Sequence, residues 1–357
     1  MAQASIFATS GAPNAMALVR CGDRRLAVVA SSSAALLDVI DLDSDDRATR
    51  SVALPIGSSP WDVAIVDTAA GMRAVVALYD RHELALVDVC AATPFVVDTC
   101  ASTRVLTLEP PRTVGGRTVA SMPLQNPQGV ATSSTAAGAT AFVVWGNVLS
   151  VAFGDEAMQT GPGVLGAYRI VDDAFVLDME IDLPCDNPGG IVVDGDTVHV
   201  ACTGRYRDGV DGFARASQGG LVSIDVDTLT VRDAIAFDHS PLAVTIDADS
   251  IVVGDALDGG MRRYDAALVE QADVGAQEEI ASIFALTHVD DVLVAARFED
   301  AVVADPFGAA HTTSVQTGST LRGAIDVAAF DDDDDVFILF SLSAELQRLS
   351  RTAVLAP

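Results

Sequence analysis

Short apolar runs alternate with small polar clusters along most of the chain, at a spacing too tight for helices. The stretch NPGGIVVDGDTVHVACTG, residues 187–204, shows the unit: an apolar run, a turn of Asp and Gly, and a second apolar run, both rich in β-branched residues. This pattern predicts two antiparallel strands joined by a hairpin. Similar first strands, each preceded by a small residue or by small-Pro, occur at NAMALV (14–19), PWDVAIVD (60–67), PQGVATS (127–133), PGGIVVD (188–194), PLAVTID (241–247), SIFALTH (282–288) and GAIDVAAF (323–330). A second run follows each of them: 25–32, 73–80, 141–147, 197–204, 250–256, 291–298 and 335–341. These second runs are the most uniformly apolar, as strands buried on both faces should be. Third strands fall at 36–43, 84–90, 165–171, 221–227, 261–266, 301–306 and 344–350. Fourth strands leave the weakest pattern, as expected of strands on the outside.

Spacings between equivalent positions, from Pro13 through Pro60, Pro127, Pro188, Pro241 and Ser282 to Gly323, are 47, 67, 61, 53, 41 and 41 residues. The shorter values match a four-stranded propeller blade. From Gly323 to the end there is room for three strands only, whereas ASIFATSG (4–11) is an orphan strand ahead of the first repeat. The expectation is therefore an all-β, seven-bladed β-propeller of four-stranded antiparallel blades, closed by the N-terminal strand, which removes the open edge of an acyclic array. It forms a single domain over 1–357, with blades near 13–57, 58–124, 125–184, 185–238, 239–279, 280–321, and 322–352 plus 4–11.

One repeat carries a resemblance. Asn187, Pro188, Val193, Asp194, Gly195, Val198, His199, Val200 and Ala201, followed by Val222, Ser223, Ile224 and Asp225, resemble the YVTN-type β-propeller repeat, with His199 where a Tyr is usual. The resemblance is strong in the fourth blade and loose in the third, sixth and seventh. It implies a seven-bladed propeller, often on microbial surfaces, and brings no catalytic residues with it.

Composition agrees with the strand pattern and adds constraints on partners. Half of the residues are apolar but only 5% are aromatic, so the core is built from Val, Ile, Leu and Ala. Fifty acidic residues face 21 basic ones, all Arg, for a net charge of −29. Such a surface repels phosphate backbones and anionic lipid, which argues against nucleic-acid and membrane-surface partners. Asp far outnumbers Glu, in keeping with a turn-rich chain; genomic bias or salt adaptation would equally explain the missing Lys. AAGATAFVVWGNVLSVAFG (136–154) has roughly the length of a membrane span, but its AFVVWGN falls where every other repeat has a strand, so no membrane span is expected.

Catalytic signatures are sparse. The five His show no pair at metal-ligand spacing, no Gly-x-Ser-x-Gly occurs, and GDEAMQTGPG lacks the Lys of a phosphate loop. None of the nine Glu lies in a first strand, where gluconolactonase-like propellers need a metal ligand, and two Trp are too few for a quinone-dependent propeller. The Asp-rich turn FDDDDDVF (330–337) lacks the spaced pattern of a calcium loop. It reads as a solvated charged turn, with weak binding of a divalent cation such as calcium as the alternative; no other cofactor is expected. Two disulfides are expected, Cys90–Cys100 closing a loop and Cys185–Cys202 joining adjacent strand ends, with Cys21 unpaired; small buried thiols are the competing reading. Disulfides imply an extracellular, cell-surface or periplasmic protein, and since MAQASIFATSG is no signal peptide, Met1 would then open a trimmed mature chain.

In a propeller the blade-joining loops and the loops from second to third strand share one face, around the mouth of the central channel. The two long loops of the latter class are 148–164 and 205–220. The second collects Arg205, Tyr206, Arg207, Phe213 and Arg215, a mixture of donors and flat apolar surface suited to recognition. These five are the predicted ligand contacts, for a protein, small-molecule or carbohydrate ligand; the alternative is that the two loops only pack over each other. A noncatalytic binding or surface-scaffold propeller is the preferred function. A divalent-metal-dependent hydrolase or lactonase-like propeller is the alternative, because first-strand residues near the mouth such as Asp62, Gln128, Gly190 and Ala243 are too mixed to form a metal cluster.

Overall fold

The computed structural model describes residues 5–44, 49–135, 138–151, 157–209, 212–257, 260–271, 282–298, 301–304, 307, 311–314 and 323–355. Seven antiparallel sheets form a ring, the expected seven-bladed β-propeller. From the channel outward, blade one is Pro13–Cys21, Arg24–Ser31, Leu36–Asp41 and Thr49–Ala53, and blade two is Pro60–Thr68, Gly71–Leu78, Glu83–Asp88 and Phe95–Ala101. Blade three is Pro127–Thr135, Gly138–Trp145, Val164–Val171 and Ala174–Asp182; blade four is Pro188–Asp194, Thr197–Cys202, Gly219–Asp225 and Val231–Phe237. Blade five shows Pro241–Asp247, Ser250–Asp255 and Met261–Tyr264, with a bridge from Tyr264 to Glu270; the end of its expected span, 272–279, lies outside the described residues. Blade six is Ile283–Val289, Val292–Arg297, Ala301–Ala304 and His311–Ser314.

Blade seven is built from Ala324–Ala329, Asp335–Phe340 and Glu345–Ser350, and its fourth strand is the N-terminal Ser5–Ala8. Ser5 lies opposite Arg348 and Ala8 opposite Glu345, so the start of the chain closes the ring. Phe7 enters a core cluster with Met16, Ala27, Val29, Phe337 and Leu339, which belong to blades seven and one. Asp38 fastens the same joint from within. It is fully buried, and its carboxylate accepts hydrogen bonds from the Ser10 backbone (2.6 Å) and the hydroxyls of Ser10, Ser31 and Ser51 (2.9, 3.0 and 2.6 Å). A buried carboxylate is tolerable only with such a full set of donors.

Second strands are buried along nearly their whole length because neighbouring blades cover both of their faces; Val28, Val75, Val143, Val200, Val252, Val294 and Ile338 are all sealed from solvent. The long repeats have separate causes. Insertions account for the third and fourth blades, and an additional hairpin, Val105–Val114 with Arg117–Pro123, accounts for the span between Pro60 and Pro127. Sequence reading left that hairpin unassigned because Pro110 and Pro111 interrupt its strand pattern. The signal it missed is the Gly115–Gly116 turn, where both residues have positive φ, as a two-residue hairpin turn requires.

The cysteines depart from expectation in one pairing. Cys185–Cys202 forms as anticipated, but Cys90 bonds to Cys21, and Cys100 is the free thiol. Cys90–Cys100 is incompatible with the hairpin register. Cys100 lies opposite Leu84, near the start of the third strand of blade two, whereas Cys90 follows the far end of that strand. The same far face carries Cys21, at the end of the first strand of blade one, so the bond staples two neighbouring blades.

The Asp-rich turn also differs from a freely solvated one. Asp332 pairs with Arg20, Asp333 with Arg25, and Asp335 with both Arg25 (3.4 Å) and Arg348 (2.8 Å). Asp333 and Asp335 are thus largely buried partners of Arg groups at the junction of blades seven and one, whereas Asp331, Asp332 and Asp334 stay exposed, as in a solvated turn.

Candidate functional site at the channel mouth

Each first strand is launched by the same backbone device. The carbonyl before the strand accepts a hydrogen bond from the residue just beyond the second strand: Ala12 from Ser32, Ser59 from Tyr79, Asn126 from Gly146, Asn187 from Thr203, Ser240 from Ala256, Ser282 from Phe298 and Gly323 from Ser341. A register shift then follows the first residue of the strand in all seven blades. Such a bulge re-aims side chains. Its extra residues, Asn14, Trp61, Gln128, Gly189, Leu242, Phe284 and Ile325, all line one cavity of about 580 Å³ at the channel mouth.

The next residue in each strand forms a deeper ring: Ala15, Asp62, Gly129, Gly190, Ala243, Ala285 and Asp326. At Gly190 the neighbouring blade comes so close that an added Cβ would sit 1.9 Å from the Leu242 carbonyl oxygen. Blades two and seven have room for a carboxylate instead. Asp62 accepts the N–H of Val63 (2.8 Å) and that of Val130 on blade three (2.7 Å). Asp326 repeats the arrangement with Val327 (2.8 Å) and Met16 on blade one (2.6 Å). The exposed part of both side chains faces the cavity they line. Burial outweighs the two backbone hydrogen bonds, pushing Asp62 up to about 6 and, with repulsion from Asp62 added, Asp326 up to about 7.

Aromatic side chains form much of the wall. Trp61 packs on Tyr79 with ring centroids 4.9 Å apart, and Tyr206, Phe284 and Phe298 complete the aromatic part of the lining. Burial pushes the Tyr79 phenol up to about 12 and raises that of Tyr206 as well. Gln128 and Asn187 supply polar contacts and are joined by a 2.8 Å hydrogen bond from the Gln128 amide.

No family model and no curated protein matches the chain. Among solved structures, the virginiamycin B lyase from Staphylococcus aureus is similar, at 11% identity and TM-score 0.63 over 98% of this chain and 99% of that one. Sqt1 from Saccharomyces cerevisiae is similar at 10% identity and TM-score 0.60, covering 97% of each chain, and BBS1N in a complex with ARL6DN at 14% and 0.59, covering 98% and 95%. The likeness is one of fold.

The two insertions meet beside this cavity and each contributes one residue to its lining, Val148 and Tyr206. Val148–Ser150 pairs with Gln159–Thr160, Tyr206–Gly209 pairs with Gly212–Arg215, and the Met158 N–H joins the two hairpins by donating to the Tyr206 carbonyl at 2.8 Å. Of the five predicted contacts, Tyr206 lines the cavity. Arg205 points to Asp186, 3.2 Å away, and Arg207 is exposed on the hairpin. Arg215 lies opposite Tyr206 in the register, and Phe213 lies opposite Asp208; the Phe213 side chain falls outside the described residues. Alternation along the hairpin therefore puts Arg207 on the face opposite to that of Tyr206, whereas the register keeps Arg215 on the Tyr206 face.

Four of the five histidines are occupied elsewhere, and the His311 side chain lies outside the described residues. His199 meets the Ser223 hydroxyl at 2.8 Å, His239 meets Asp255 and His288 meets Asp247, both at 3.1 Å, and His82 meets the Tyr79 carbonyl at 3.0 Å. Among the described residues no three His, Cys, Asp or Glu side chains converge in a way that would hold a metal ion, and no helix is long and apolar enough to cross a membrane.

Proposed function

We propose that this chain is a noncatalytic binding propeller of the YVTN type, which takes a small molecule into the cavity at its channel mouth and works outside the reducing cytosol. The observation that carries the reading is the cavity itself, with a mostly apolar wall, a few fixed polar groups and a lining residue from each of two insertions that meet beside it. This is the usual form of a small-molecule site on a rigid scaffold. The metal-dependent hydrolase alternative needs several convergent ligand side chains, and the described first strands bring two acids to the cavity, Asp62 and Asp326. The similar structures include a lyase by name and a propeller bound to a protein partner, so the fold leaves both classes open.

The test is a small-molecule screen by thermal shift and calorimetry, repeated with Tyr206→Ala and Arg207→Ala. Hits are expected to lose about tenfold or more in affinity with Tyr206→Ala and little with Arg207→Ala, at nearly unchanged melting temperature. Hits unaffected by Tyr206→Ala would move the site elsewhere. The compartment is tested by peptide mapping without reduction, with Cys21–Cys90 and Cys185–Cys202 recovered as linked pairs and Cys100 as the free thiol. Five free thiols in protein isolated from its native source would overturn the extracellular placement.

A further inference from the structure

We propose that the ligand of this cavity is an organic cation, an ammonium or quaternary ammonium group on an apolar body, with its charge seated between Asp62 and Asp326. The inference rests on the binding reading above and specifies its chemistry. The starting point is the cavity wall. Trp61 and Tyr79 from blade two, Tyr206 from the blade-four insertion, and Phe284 and Phe298 from blade six all present aromatic surface to it. Aromatic walls attract a positive charge through the negative faces of their rings, and attract it more strongly away from water.

The charge balance of the lining points the same way. Asp62 and Asp326 are its acids, Tyr79 and Tyr206 its other titratable groups, and no Arg or His is among the described lining residues. The chain has no Lys to supply a cation. Backbone N–H groups of Val63, Val130, Val327 and Met16 fix both carboxylates in place. These donors orient the acids but carry no full charge, so ionising both leaves a negative site inside an apolar cavity. Elsewhere the chain neutralises its crowded acids with Arg, as at Asp333 and Asp335. The net charge of −29 would also concentrate cations near the mouth and discourage anionic ligands.

Asp326 reaches the junction of blades seven and one and Asp62 that of blades two and three, so a cationic group in the cavity that both line has a carboxylate on either side of blades one and two. Affinity should rise as the pair ionises through about 6 and about 7 and fall when it is protonated.

Titration calorimetry of the full chain with benzyltrimethylammonium and with neopentylbenzene, its uncharged carbon isostere, tests the assignment. At about pH 8 the cation is expected to bind at least about tenfold more tightly than the isostere, and at about pH 5 to lose most of that advantage. Asp62→Ala and Asp326→Ala, which install a residue already present in this ring in blades one, five and six, should each weaken the cation about tenfold and leave the isostere unchanged. The pH comparison on the unaltered chain decides the matter even if a variant folds poorly. Equal binding of the two probes, or cation binding indifferent to pH, overturns the cation assignment. If the isostere then still binds in a manner lost with Tyr206→Ala, the cavity reading survives without it; if neither probe nor any screened compound binds, both readings fall.

Discussion

Carboxylates on the two faces of the ring are stabilised in opposite ways. On the face away from the mouth, Asp332, Asp333 and Asp335 meet Arg20, Arg25 and Arg348 across the junction of blades seven and one. At the mouth, Asp62 and Asp326 meet backbone N–H groups and an open cavity. The first set holds the ring closed and is internally neutral. The second set is held rigid without a counter-charge, an arrangement that costs stability when ionised and that a ligand of the right charge would relieve. An acid run in the sequence is therefore a poor guide to a binding site here, and two isolated acids far apart are a better one.

The largest expected effect lies at the closure. Deleting residues 1–11 removes the strand carrying Phe7 and the Ser10 hydrogen bonds to Asp38. It should cost about 5 kcal/mol or more, comparable with losing a large core side chain and uncovering a sheet edge; urea unfolding with an unchanged midpoint would contradict the seam. Next comes Arg25→Met, which leaves partly buried Asp333 and the neighbouring Asp43 without their cation, while Asp335 keeps Arg348. A loss of about 3 kcal/mol is expected in the same measurement.

Gly190→Ala sharpens the contrast inside the deeper ring. Its methyl would strike the Leu242 carbonyl, so a loss of about 2 kcal/mol is expected at the position where blade two accommodates Asp62. The effect of pH on unfolding free energy should separate Asp43, beside Arg25, from Asp62 and Asp326 by sign. Burial alone would raise Asp43, but hydrogen bonds and charge attraction from Arg25 outweigh it and hold the carboxyl below its ordinary value. Its contribution is present above an unfolded value of about 4 and is lost as pH falls. Asp62 and Asp326 are raised, so theirs is present below about 4 and is lost as pH rises through about 6 and about 7. Arg25→Met should flatten the acid limb, and Asp326→Ala the limb between about pH 4 and 7. Smallest is Arg207→Ala, on an exposed hairpin position, expected to change stability by less than about 0.5 kcal/mol.

Much of the fold was legible because strand burial leaves a periodic trace. The second strands read as continuous apolar runs since two blades cover them, and the orphan strand at 4–11 announced the closure. The site was less legible. Asp62 was recognised as lying near the mouth, but its partner was not, although Trp61-Asp62-Val63-Ala64 and Ile325-Asp326-Val327-Ala328 repeat the pattern x-Asp-Val-Ala at the same place in two blades. Aligning the first strands residue by residue, and not only as apolar runs, would have found it. Tyr206 was picked out with its Arg neighbours because composition cannot show which side of a hairpin each residue takes. Phe298 and Tyr79 gave no signal at all, since they act from the ends of second strands that read simply as core.

The sequence by itself determined the repeat, its count, the closing strand and the charge of the surface, because each follows from local periodicity or composition. Only the tertiary structure decided that Cys90 finds Cys21, that Asp333 and Asp335 of the five-Asp turn pair with Arg groups at the seam, and that Asp62 and Asp326 share one cavity. Those outcomes depend on contacts between blades, and the curvature that brings residues 62 and 326 to the same channel mouth belongs to the closed ring and to no segment of the chain.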